Sequence, residues 1–126
     1  MTPKLLNVKV SNLRKRGLGN SLNEWLKQNP KHLYIGRENS YVNIGRSKWA
    51  NPFPLSKYTL EESLQKYEMY VRETPSLWNA ITDELNDKVM GCWCCDCESF
   101  ESTIDKPLRC HGEVLMKLFH EQHSKK

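Results

Sequence analysis

Segments with the period of a strand and segments with the period of a helix alternate along this chain of 126 residues. That succession limits the available folds more than any single motif does. Leu6, Val8 and Val10 alternate with polar neighbours, which predicts a strand with one apolar side toward a core. Ser11 to Gly17 reads as a polar, flexible connection. Ser21 followed by Glu24 is a capping-box pattern, and Leu22, Trp25 and Leu26 form a helical stripe behind it. The helix should stop near Asn29-Pro30, because the residue before proline resists the helical conformation. His32 to Arg37 reads as a second strand. The long irregular segment after it, Glu38 to Lys57, carries Trp49 and Phe53 and is expected to pack against the domain.

Thr59 with Glu62 repeats the capping pattern. Leu60, Leu64, Tyr67 and Val71 continue it at helical spacing, predicting a helix of about 14 residues. Thr74-Pro75 restarts the chain with proline at a first helical position, and Trp78, Ile81 and Leu85 make the next stripe. Lys88 to Cys92 reads as a third strand, and Val114, Leu115, Leu118 and Phe119 predict a last helix from Gly112 to His123. Strands separated by helices require crossover connections. The expected architecture is therefore a small α/β domain over residues 1–123: about three parallel strands, helices packed on the sheet, and a basic tail at 124–126. In such sheets ligands bind outside the carboxyl ends of the strands. Ser11 to Gly17, Gly36 to Phe53 and the segment after Cys92 should all meet there.

Charge is divided as unevenly as structure. Residues 1–57 hold 11 Lys or Arg against two acids, a net of +9, and residues 58–126 hold 8 against 13, a net of −5. An amino-terminal half this basic favours a nucleotide or nucleic acid as partner, against the plainer reading of a solubilising surface. No run approaches the roughly 20 apolar residues that cross a bilayer, and no apolar leader follows the first basic residues. No membrane association and a cytoplasmic location are expected.

All five cysteines, Cys92, Cys94, Cys95, Cys97 and Cys110, lie in the last third of the chain. Several are too close in sequence for ordinary disulfide geometry. In an unsecreted chain such a cluster points to metal binding or thiol chemistry. Zinc takes four soft or borderline ligands, commonly two from a C-x-x-C knuckle and two from a second segment. Cys92, Cys94, Cys97 and Cys110 are the expected set. Reduced free thiols are the alternative.

Cys110-His111 also stands just before the last helix, where partial positive charge lowers a thiol pKa. Cys110 could then be a nucleophile, His111 its base and Glu113 an orienting group, in a thiol-dependent transferase or hydrolase. A packed helix start with Cys110 buried is the alternative. Arg37, Arg46, Ser47, Lys48, Trp49, Asn51 and Phe53 bring guanidinium donors and aromatic faces together, a mixture suited to a phosphate with a base or sugar. No phosphate-binding loop or dinucleotide fingerprint is present.

Four stretches taken together resemble the domain of unknown function 4326 family. They are Tyr34-Ile35-Gly36-Arg37, Ser47-Lys48-Trp49-Ala50-Asn51-Pro52-Phe53, Gly91-Cys92-Trp93-Cys94 and Cys110-His111-Gly112-Glu113-Val114-Leu115. The resemblance implies no activity. It does imply a shared site of Arg37, Ser47, Lys48, Trp49, Asn51, Pro52, Phe53, Cys92, Cys94, Cys110, His111, Gly112 and Glu113. Ala50 stands where the family more often has glycine, and the 15 residues between Cys94 and Cys110 exceed the family's short link. Cys95 and Cys97 lie in that extension. Three functional readings follow: a nucleotide- or nucleic-acid-binding protein with a zinc-holding Cys/His site, a thiol-dependent enzyme, and a metal-stapled interaction module.

Overall fold

A computed structural model describes residues 2–39, 44–103 and 106–124. Three strands, β1 (Lys4–Asn7), β2 (His32–Tyr34) and β3 (Val89–Cys92), form one sheet in the order β1-β3-β2. Both pairings are parallel, with Lys4 beside Val89 and His32 beside Val89. The crossovers are helical: α1 (Val10–Lys15) and α2 (Leu22–Gln28) between β1 and β2, then α3 (Leu60–Glu73), α4 (Pro75–Trp78) and α5 (Ile81–Glu84) between β2 and β3. A 3₁₀ turn at Phe100–Thr103 and α6 (His111–Ser124) follow. The chain is thus a small single α/β domain on a parallel sheet.

Apolar residues cover both faces of that sheet, as parallel strands require. On one side Leu5, Ile35 and Met90 pack with Tyr67 and Val71 of α3 and with Val114, Leu115 and Phe119 of α6. On the other, Leu6, Val8 and Tyr34 pack with Leu13, Leu22 and Trp25. The caps read from sequence hold α2 and α3 at their starts. Ser21 Oγ accepts from the Glu24 amide at 3.1 Å, and Thr59 and Glu62 complete a reciprocal capping box, at 3.0 and 3.1 Å.

Other boundaries differ from the reading of the sequence. The first strand ends at Asn7, and Ser11 to Gly17 is mostly helix rather than a flexible connection, since α1 begins at Val10. No side chain caps α1. It is held instead by Leu13, which is fully buried, and by Asn12 Nδ2, which donates to the Asn7 carbonyl at 2.7 Å. The second strand is shorter than His32 to Arg37, although the Ile35 amide still donates to the Gly91 carbonyl at 3.0 Å.

The stripe of Trp78, Ile81 and Leu85 is split between α4 and α5. The Ala80 amide bonds back three residues to Leu77, a tightening that interrupts the α-helical ladder. The last helix starts one residue before Gly112 and includes Ser124, which the sequence assigned to the tail; Lys125 and Lys126 lie outside the described residues. The segment around Trp49 is packed as expected: Trp49 is 1% exposed, and Tyr67 Oη donates to its carbonyl at 2.7 Å.

Candidate functional site

A cavity of about 580 Å³ opens at the carboxyl edge of the sheet. Its wall is built from the chain after β2 (Arg37, Asn51, Phe53), the chain after β3 (Trp93, Cys94), the approach to α6 (Arg109, Cys110, His111) and the first turns of α3 (Leu60, Ser63, Leu64). Parallel strands point their ends the same way, so residues 74 positions apart in sequence, Arg37 and His111, reach one concavity. Cys92 is not part of the wall. It is 1% exposed and lies behind it, its Sγ donating to the Cys95 carbonyl at 3.4 Å.

The residues expected to bind a ligand fall into two groups. Arg37, Asn51 and Phe53 line the cavity, whereas Ser47, Lys48 and Trp49 border a shallower depression beside β2. Lys48 there binds Glu84 at 2.8 Å and lies over the Trp49 ring. Trp49 is buried and so offers no face for stacking. Arg46 is exposed and lines neither site. Within the cavity, Arg37 Nε donates to the Asn51 carbonyl at 3.1 Å, which pins its guanidinium at the rim. Asn51 uses its side chain to hold the loop: Nδ2 donates to Ser63 Oγ at 2.9 Å and Oδ1 accepts from the Phe53 amide at 2.9 Å.

The aromatic face at the floor belongs to Trp93, whose Nε1 donates to Tyr34 Oη at 2.8 Å, and Tyr34 Oη donates to the Arg37 carbonyl at 2.6 Å. Trp93, Tyr34 and Arg109 had no place in the site read from the sequence. For Trp93 the available signal was its place between two cysteines in Gly91-Cys92-Trp93-Cys94.

Cys110 caps α6 with its sulfur, which accepts from the Gly112 amide at 3.4 Å. His111 Nε2 lies 2.8 Å from the Ile35 carbonyl. A carbonyl only accepts, so Nε2 carries the proton and, in the neutral ring, the Nδ1 lone pair faces Cys110 Sγ at 3.7 Å. Burial holds the His111 pKa below the usual range, the bond to Ile35 opposes this, and the Arg37 charge adds to the lowering. Glu113 does not orient His111. It is 1% exposed and receives the Arg109 amide at 2.6 Å and Arg109 Nη2 at 2.8 Å. The Ile35 carbonyl takes the orienting role.

The cysteines form a cluster around Cys110. The thiols of Cys92, Cys94 and Cys95 all lie in its hydrogen-bonding reach, and these contacts, together with burial, push the Cys110 thiol up. A helix start alone would push it the other way. Donation from Cys110 and then Cys92 lowers Cys95 to about 4, and donation from Cys110 and then Cys94 lowers Cys92. Cys97 stands apart from the expected set: its Sγ donates to the Ser99 carbonyl at 3.1 Å and its backbone bridges to Leu5. Among the described residues no group of three or more His, Cys, Asp and Glu already converges as a metal would hold them.

Four ion pairs join the +9 and −5 halves in the fold. Lys4, Arg16, Lys31 and Lys48 pair with Glu98, Asp96, Asp87 and Glu84. Asn12 of α1 and Arg16 just after it thereby hold Asp96, so the first connection braces the cysteine segment from outside without lining the cavity. No helix among the described residues is long and apolar enough to cross a membrane.

A pH dependence follows from His111. The buried ring binds its proton more weakly than the unfolded chain does, so stability is full above the unfolded value of about 6.5 and falls as pH drops through it, by up to about 1.4 kcal/mol per pH unit. Denaturant titrations of chelator-treated protein across this range check it. His111→Gln should flatten the slope, and an unchanged slope in that variant would assign it elsewhere.

The model of the family described as Domain of unknown function (DUF4326) matches residues 19–121. Uncharacterized protein R718 of Acanthamoeba polyphaga mimivirus is 36% identical over 90 residues, a match spanning 69% of this chain and 65% of that protein. No solved structure matches. The chain belongs to the domain of unknown function 4326 family.

Proposed function

We propose, for a member of a family with no assigned activity, that this chain binds a small anionic ligand of the nucleotide class in the cavity at the carboxyl edge of its sheet. Phosphate would sit at the Arg37 guanidinium and a flat ring against Trp93 or Phe53. The observation that carries this is the fixed arginine at the rim of an aromatic-walled concavity. Among the described residues Arg37 donates through Nε alone, to the Asn51 carbonyl at 3.1 Å, and a guanidinium held that way keeps a donor edge for a bidentate phosphate contact. The volume of about 580 Å³ suits one small molecule, in the usual range of roughly 300–1,000 Å³.

Polynucleotide binding is the weaker form of the reading, because four basic residues of the amino-terminal half are already paired with acids. Catalysis by a Cys110 thiolate is weaker still. The sulfur is 1% exposed, and its neighbours favour its protonated form.

Titration with nucleoside mono-, di- and triphosphates, followed by tryptophan fluorescence and calorimetry, tests the proposal. Arg37→Ala is expected to weaken binding about 10- to 100-fold, the loss of a charge-assisted hydrogen bond worth roughly 1.5–3 kcal/mol. Inorganic phosphate in parallel separates the anion contact from the ring contact. Folded wild-type protein that binds no nucleotide at millimolar concentration and low salt, or an Arg37→Ala variant that binds as well as wild type, overturns the reading. Binding to long single strands with a salt slope of several times about −0.7 would instead favour the polynucleotide form.

A further inference from the structure

We infer that Cys92, Cys94, Cys110 and His111 form a zinc site behind and within the cavity floor, with three thiolates and His111 Nδ1 as ligands. This does not rest on the nucleotide reading. The ligand set also differs from the one the cysteine spacing suggests, since His111 replaces Cys97.

His111 is arranged as zinc-binding imidazoles are. Such a ring ligates through one nitrogen and donates the other N–H to a carbonyl or carboxylate that fixes its tautomer and orientation. His111 donates Nε2–H to the Ile35 carbonyl at 2.8 Å, leaving the Nδ1 lone pair toward Cys110 Sγ at 3.7 Å. With Zn–S of about 2.3 Å and Zn–N of about 2.0–2.1 Å at a tetrahedral angle, two such ligands lie roughly 3.5 Å apart. The observed separation is close to that edge. Cys110 Sγ further accepts the Gly112 amide at 3.4 Å, a contact that favours a thiolate at the start of a helix.

The remaining ligands come from the turn after β3. Cys92 lies in reach of both Cys110 and Cys94, and Cys94 is in electrostatic contact with His111. Cys95 also lies in reach of Cys110 and Cys92, but its charged neighbours are Glu113 and Arg109, whereas Cys94 interacts with His111; the Cys97 thiol donates to the Ser99 carbonyl. Three thiolates and an imidazole from two segments, with the Ile35 carbonyl buried against the far side of the ring, match a closed Cys₃His centre. Among the described residues the donors do not converge on one point, so binding would require zinc to draw them together. Cys94 is exposed and lines the cavity, so the centre would adjoin the space that takes the ligand.

The test uses the full chain, reduced, loaded with zinc and desalted without nucleotide. One equivalent of zinc per chain is expected by elemental analysis. Cobalt substitution should give thiolate-to-metal charge-transfer absorption with the visible bands of a tetrahedral ion. Cys94→Ser removes an exposed side chain and spares the core. It is expected to weaken zinc binding more than about 100-fold, beyond the roughly 10–100-fold lost when a group that only orients a ligand is removed. Cys95→Ser should bind zinc as wild type does, with circular dichroism showing both variants folded.

Less than half an equivalent in folded, reduced wild type with no cobalt charge-transfer band overturns the inference. So does a Cys95→Ser variant that loses zinc as fully as Cys94→Ser. His111→Gln should leave cobalt bound more weakly with a shifted visible spectrum, and an unchanged spectrum would remove the imidazole from the set. Failure of nucleotide binding with zinc retained sinks only the ligand reading, and the reverse result sinks only this one.

Discussion

Trp25→Ala is expected to cost about 3–5 kcal/mol, the usual loss on emptying a large aromatic site in a core. Trp25 is 1% exposed and packs among Leu6, Val8, Leu13 and Leu22. Its ring stacks on His32 with centroids 4.2 Å apart, and its carbonyl lies 2.7 Å from His32 Nδ1. The far edge of the ring reaches the central strand: a Cβ on Gly91 would lie 2.7 Å from Trp25 Cζ3 and 2.9 Å from Val8 Cγ1. The indole therefore rests on the sheet backbone itself, and no side chain at position 91 can move in to fill the space it leaves. Against a total of roughly 5–15 kcal/mol for a domain, the variant should be marginal. A denaturant titration should show a large drop in midpoint at unchanged slope. A loss below about 1 kcal/mol would mean that α2 is not fastened to the sheet through this ring.

Gly112→Val should cost about 3 kcal/mol, the upper end for overpacking. Backbone freedom is not the reason, since Gly112 sits in the first turn of α6 and is not among the residues with positive φ. Space is the reason. A Cβ there would overlap Leu5 Cδ1 and lie 3.0 Å from Ile35 Cδ1. Both neighbours are buried on the sheet, at 3% and 0% exposure. The helix start has to lift away from β1 and from the chain after β2, carrying His111 off the Ile35 carbonyl. Faster alkylation of Cys110 in the native state, alongside the stability loss, distinguishes a displaced helix start from general loosening. Stability within about 0.5 kcal/mol of wild type, with Cys110 still protected, would contradict this packing.

Much of the scaffold was legible because its signals are local. The Thr59–Glu62 box, the Ser21 cap and the stop at Asn29-Pro30 each act within one helical turn, and each is found where the residues predict. Helix α1 was not legible. Lys9 at its start supplies no side-chain cap, and the helix owes its order to Leu13 meeting residues distant in sequence. The candidate site divides the same way. Arg37, Cys110 and His111 stood out by type and position. That Trp49 and Lys48 face another depression, that Glu113 serves Arg109, and that Cys97 turns to Ser99 depend on where the chain runs after each strand.

The sequence by itself determined the alternation of strand and helix, and with it the parallel sheet, because period and capping are properties of neighbouring residues and crossovers leave few arrangements for them. It also determined that cations, aromatics and thiols lie on segments leaving the carboxyl ends of strands. Which of those groups meet was decided only by tertiary structure. A cysteine's reach is a few ångströms, less than the displacement made by one residue of an irregular loop. That Cys94 and Cys95 reach Cys110 while the Cys97 thiol turns to Ser99 depends on the course of this segment, in which Asp96 is tied to Asn7 and Arg16 by contacts that span 89 and 80 positions of the chain.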